Sequence, residues 1–283
     1  LEMANAITSF GRHIIQETAK VVESKGFEVI YSDTDSVFLK GREGKKGGES
    51  VKEFVERVNL ALPELIKLEY VGTYPAALFA EPRLKHDNEG RDERSKHKGA
   101  KKKYALLTED GRIVVKGFES VRRNWSPIAK KVQHQVLRIL LEEGSVKGRE
   151  AQSLEEAREV VNTIIEDVRK RRIPNSEMII STVLQRDLDD YDISAPHVEA
   201  AKRMRDQGFR VEKGCLVKYI VVPSGEESVS HRVRLPWEVP EGGYDAEYYV
   251  RHQILPVVEG ILSTFESPQE RNSNTENSTL SKQ

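Results

Sequence analysis

The chain has 283 residues, room for one large domain or two ordinary ones. A hydrophobic share of 37% beside 32% charged residues implies a core under a highly charged surface. Its 45 basic and 46 acidic residues nearly cancel, so any surface for a polyanion must come from local clusters. No apolar run approaches the ~18 residues of a membrane span. Leu1-Glu2-Met3-Ala4 lacks the pattern of a secretory leader, and the single Cys215 excludes a disulfide framework or a Cys-rich zinc site. A cytoplasmic, non-membrane protein is expected.

Residues 4–25 keep helical spacing through Ile7, Phe10, Ile14, Ile15, Val21 and Val22, and Gly26 suits the position past a helix end. The period then changes. Residues 27–31 and 36–40 are β-rich runs on either side of Ser32-Asp33-Thr34-Asp35, which reads as strand, turn, strand. A Gly/Lys loop spans 41–48. Ser50 and Glu53 form a capping box for a helix carrying Val51, Phe54, Val55 and Val58. Residues 63–79 read as further strand and turn. Residues 83–98 are almost wholly polar and read as a solvated loop. Lys101-Lys102-Lys103 leads into an apolar strand at 104–107, which Asp110-Gly111 turns back into 112–118 as a hairpin.

The second half reads as helices with one β excursion. Residues 127–143 place Ile128, Val132, Val136, Ile139 and Leu140 on one face. Ser153 and Glu156 suggest another capping box ahead of Leu154, Ala157, Val161, Ile164 and Val168. A short helix over 196–207 has Pro196 at its start and Gly208 past its end. Residues 215–222 alternate as a strand. Residues 244–265 are helical with an interruption at Pro256, and 267–283 are a disordered tail by composition. The expected class is α+β.

Asp33 and Asp35 lie two apart in a turn between apolar strands, which can hold two carboxylates at a fixed place. Carboxylate oxygen is the ligand Mg²⁺ prefers, commonly together with substrate phosphates. Aspartates also simply favour turns, and a D-x-D turn serves sugar transferases as well, so the pair alone does not choose a substrate.

The flanking residues do. Tyr31-Ser32-Asp33-Thr34-Asp35-Ser36 resembles the third polymerase motif of family B DNA polymerases, with Ser32 in place of the usual Gly. Lys101-Lys102-Lys103-Tyr104 resembles the family's Lys-Lys-Arg-Tyr element. Residues 116–125 resemble the segment leading into the thumb, with Asn124 where Asp is usual, so no role is carried over to it. Residues 196–198 and 244–256 resemble later thumb landmarks. The ordered match runs over about residues 3–265 and looks archaeal.

The resemblance implies a partial palm over 1–120, an antiparallel sheet with helices. A mostly helical thumb with a small β element follows over 121–266, then the tail 267–283. It implies DNA-directed DNA synthesis from dNTPs on primer–template DNA by a two-Mg²⁺ scheme. Asp35 would be the direct metal ligand and Asp33 a supporting one. Glu69 would be a third acid nearby. Lys101, Lys102, Lys103 and Tyr104, with Arg122 and Arg123, would contact DNA. His197 is expected to pack at a helix start, and Trp125, Trp237, Tyr248 and Tyr249 to lie in the thumb core.

The family's first two polymerase motifs and its exonuclease domain are absent from this sequence. The chain is therefore expected to be inactive without a large subunit that brings exonuclease, fingers and the remaining palm. Met3 after Leu1-Glu2 suits the native start of a split-polymerase small subunit, and a piece of a longer chain is the other explanation. Helix 4–25 and the motif strands should then present apolar surface to the missing palm. A non-catalytic DNA-binding scaffold and a D-x-D nucleotide-sugar transferase are the competing functions.

Overall fold

In the computed structural model, apolar residues at helical spacing form α1 (Glu2–Ser24), whose end is set by glycine geometry. Gly26 takes a left-handed φ of 91°. Its N–H donates to Glu23 O, and the Phe27 N–H donates to Val22 O, the paired bonds of a Schellman stop. The model describes residues 2–33, 35–40, 51–62, 67–80, 103–118, 124–225, 228–262 and 264–265. By its internal contacts the chain divides into Leu1–Thr73 and Tyr74–Gln283. The expected boundary at 120/121, the loop at 83–98 and the tail at 267–283 lie outside the described residues.

In the first unit, β1 (Glu28–Ser32) and β2 (Val37–Lys40) pair antiparallel, and α1 packs on β1. Helix α2 (Val51–Ala61) brings Phe54 against Phe27, ring centroids 6.1 Å apart. Among the described residues of this unit, only Val22 and Phe54 are buried hydrophobics. Ile7 and Phe10 are more than half exposed, and Val21 and Ile30 are exposed too.

The second unit holds one continuous core. Strands β3 (Ala76–Phe79), β4 (Tyr104–Leu107) and β5 (Ile113–Lys116) form an antiparallel sheet in the order β3-β4-β5. The Asp110-Gly111 hairpin forms as expected, with Gly111 at φ 76° and its N–H donating to Thr108 O. Ala76, Leu78, Ala105, Leu107, Ile113 and Val115 join the core, where the sheet meets helix α3 (Pro127–Glu142). Helix α4 (Glu150–Arg169) packs along α3.

The Ser153–Glu156 capping box does not form. Helix α4 begins three residues earlier, and the Ser153 hydroxyl instead donates back to Glu150 O. Ser153 is buried inside the helix, so packing against α3 overrides the local start signal.

The single β excursion expected in this half is the middle of a three-stranded sheet. After a one-turn helix α5 (Asn175–Met178), β6 (Ile180–Val183) pairs with β7 (Leu216–Val221), which pairs with β8 (Val233–Arg234). Four- and two-residue strands are too short to show a period in sequence. Helix α6 (Pro196–Asp206) has Pro196 at its first turn and ends at Gly208, φ 85°.

The last helical stretch is interrupted as expected, but by a widened turn. Helix α7 (Ala246–Tyr249) passes into a π turn (Val250–Ile254) and then into α8 (Leu255–Leu262). The Leu255 N–H reaches back five residues to Val250 O, just before Pro256, which has no N–H to offer. Among the described residues, no helix is long and apolar enough to cross a membrane.

Candidate functional site

Two strands and a tight turn build the carboxylate site. Ser32 pairs with Val37, and beyond them the Asp33 N–H donates to Ser36 O at 2.9 Å, closing the hairpin. Asp35 is therefore at the apex and exposed, whereas Asp33 sits half-buried at the end of the ladder. Below the tip, Tyr31 and Phe38 face each other across the strands, ring centroids 5.6 Å apart.

The register slips between Val29 and Tyr31, leaving Ile30 as a bulge. A bulge twists and re-aims the residues beyond it, so it fixes where the turn points. The strand-like alternation of residues 27–31 concealed this extra residue.

Glu69 lies in the first unit and is exposed. Its segment is held by Asn59 of α2, whose side-chain amide accepts from the Leu68 N–H at 2.7 Å and donates to Leu68 O at 2.9 Å. Among the described residues no three His, Cys, Asp or Glu side chains gather as a metal-binding group. The structure thus brings Asp33 and Asp35 to one hairpin tip without gathering Glu69 into a group with them.

In the second unit, cross-strand register puts Phe79, Tyr104 and Lys116 in one row, with Ala77, Leu106 and Val114 in the next. These rows share the face opposite the one that meets α3. The Tyr104 ring lies 5.9 Å from Phe79. Lys103 is half-buried, and its carbonyl accepts from the Ala80 N–H at 3.0 Å. Lys101, Lys102, Arg122 and Arg123 fall outside the described residues.

His197 packs as expected at the start of α6, edge-on to Tyr191 at 5.7 Å, and burial lowers its pKa. Tyr249 is wholly buried, and Tyr248 and Trp125, both partly buried, pack against the core. Trp237 departs from the expectation: it is 58% exposed. It lies in a single 3₁₀ turn (Pro236–Glu238) whose neighbours Leu235 and Val239 take the inward positions.

Comparison with known proteins follows the same segments. The family model described as DNA polymerase family B matches residues 1–89 and 94–265. A DNA polymerase of Methanocaldococcus jannaschii is 38% identical over 264 residues, covering 92% of this chain and 14% of that protein. One from Thermococcus gorgonarius is 35% identical over 270 residues, covering 93% of this chain and 31% of its own length. The solved structure of the family B DNA polymerase from Pyrobaculum calidifontis superposes with a TM-score of 0.63 at 29% identity, covering 92% of this chain and 30% of that one. The chain therefore spans less than a third of these relatives.

Proposed function

From the premise that the chain belongs to DNA polymerase family B, we propose that it is one part of a DNA-directed DNA polymerase that acts only when joined to a larger polypeptide. It supplies the third-motif carboxylates of the palm and the thumb that holds duplex DNA. The partner supplies the first two motifs, the fingers, the rest of the palm and the exonuclease. The homologues are full-length polymerases, and the share of them covered here supports a missing portion.

The observation that carries the incompleteness is the core of the first unit. Two buried apolar side chains among its described residues, with Ile7, Phe10, Val21 and Ile30 exposed, make a very small core for the described part of this unit. A two-stranded ribbon is marginal by itself. Further palm strands packed on that apolar surface would complete both the core and the site.

The donors at the tip fit Mg²⁺: two carboxylates two residues apart at the end of a hairpin, one of them open to solvent. Held there by Asp35 and Asp33, Mg²⁺ would supply the positive charge that favours an ionised primer hydroxyl and a departing pyrophosphate. Asp35 would hold the metal, while Asp33 shapes the turn through its bond to Ser36 O. Lys103 and Tyr104, with Lys101, Lys102, Arg122 and Arg123, would place the primer–template through phosphate contacts that set position without reading sequence.

The test is primer extension by the chain mixed with its cognate large polypeptide. Extension is expected only with both present, and Asp35→Ala should lower it at least about 10³-fold, as loss of several kcal/mol of metal-borne stabilisation requires. Extension by the chain alone would overturn the incompleteness. Assembly and DNA binding without extension by the wild type would mark a scaffold.

A further inference from the structure

Lys116 and Tyr104 are distant in sequence, yet the register of β4 and β5 sets them directly opposite each other. Phe79 of β3 completes that row. Alternation puts Ala77, Leu106 and Val114 on the same face. Leu106, in the middle of the face, is buried, whereas Lys116, at the end of the edge strand β5, is exposed.

The backbone fixes where the lysine starts. Lys116 is the last residue of β5. Gly117 follows with φ 71°, a left-handed conformation that glycine adopts without strain, so the chain leaves the strand there. Phe118 is then buried in the core. Strand pairing on one side and a buried ring on the other thus hold Lys116 beside Tyr104.

The local charge is positive. Ala77, Phe79, Tyr104, Leu106 and Val114 carry none, and among the described residues Lys116 makes no ion pair. The carboxylates of this hairpin, Glu109 and Asp110, lie in the turn at its far end. Asp110 is bonded there to Thr108 and, at 2.6 Å, to Arg112. At ~3.4 Å per residue that turn is about 13 Å or more from Lys116, beyond the ~8 Å over which exposed charges act in physiological salt. Glu119, Arg122 and Arg123 follow outside the described residues. An edge-strand lysine also deters strand pairing, but that role predicts no salt-dependent effect on DNA.

We propose that Lys116 contacts a backbone phosphate of the primer–template duplex, next to the contact made by Tyr104. This rests on the reading of the chain as part of a polymerase, and it adds a residue outside the Lys101–Tyr104 element. Lys116 and Tyr104 stand on neighbouring strands ~4.8 Å apart, comparable to the ~3.4 Å step between nucleotides along one DNA strand. Both side chains therefore reach the same or adjacent nucleotides. The contact sets the position of the duplex against the sheet and is blind to base sequence.

The experiment uses the full chain assembled with its cognate large polypeptide. Affinity for a primer–template duplex is measured from about 0.1 to about 0.5 M monovalent salt. One phosphate contact contributes about 0.9 to the slope of log affinity against log salt, so Lys116→Ala should cost about eightfold at the lower salt and about twofold at the higher. Lys116→Arg should keep the wild-type slope, and both variants should melt within about 2 °C of wild type, as befits an exposed side chain. An unchanged slope in Lys116→Ala, with the wild type binding duplex and extending primers, would overturn the contact and leave the polymerase reading standing. A loss of equal size at every salt concentration would also overturn it, in favour of a packing role. A raised KM for dNTP with duplex affinity unmoved would overturn it in favour of the nucleotide's triphosphate. A wild-type assembly that binds no duplex would overturn both.

Discussion

Gln253→Leu tests how the second unit is tied together across 127 residues of sequence. The Gln253 Oε1 accepts from the Ser126 N–H at 2.8 Å, and both residues are buried. Ser126 stands at the start of α3, where the first N–H groups of the helix have no partner within it. Leucine keeps similar bulk but accepts no hydrogen bond, so the Ser126 N–H is left buried and unpaired. That costs about 1–3 kcal/mol. At about 2 kcal/mol, a unit of this size should melt about 4–8 °C lower. Calorimetry gives the shift, and hydrogen exchange at Ser126 gives the local cause, with faster exchange expected there than across β7. A melting point within about 1 °C of wild type and unchanged Ser126 protection would refute the reasoning.

Tyr249→Phe removes a hydroxyl that donates to Met178 O at 2.6 Å and accepts from the Val221 N–H at 3.2 Å in full burial. About 2 kcal/mol should be lost in urea unfolding, and an unchanged midpoint would contradict it. Burial holds the His197 pKa below its ordinary value, so its contribution is complete above the unfolded value of ~6.5 and is lost as pH falls below that. His197→Gln should reduce the drop in urea midpoint between pH 7.5 and 5.5, and an equal drop in both proteins would dismiss the linkage. Lys103→Ala in the assembled enzyme should weaken binding of all duplex sequences alike and flatten the salt slope by about 1; sequence-dependent weakening would speak against a phosphate contact.

Much of the local architecture was legible. Asp33, Thr34 and Asp35 between two β-rich runs announced the hairpin, Asp110-Gly111 announced another, and Gly26 and Gly208 marked helix ends now seen with left-handed φ. The candidate site was legible as letters: the two aspartates share one turn because the turn itself places them. The Ile30 bulge was hidden, since one extra residue barely disturbs an apolar run. The Asn59 clamp on Leu68 was hidden because its partners lie nine residues apart across a segment with no regular period.

The sequence by itself determined what a few neighbouring residues decide among themselves: helix period, strand alternation, glycine turns and the spacing of the carboxylates. Only the tertiary structure decided where each face went. It buried Ser153 inside α4 and cancelled a capping box, and it set Trp237 facing solvent in a turn where Leu235 and Val239 point inward. It also left α1 with an apolar stripe and almost no core beneath it. Local signals depend on backbone geometry within one or two turns of chain, whereas burial depends on what segments a hundred residues away bring to the same place.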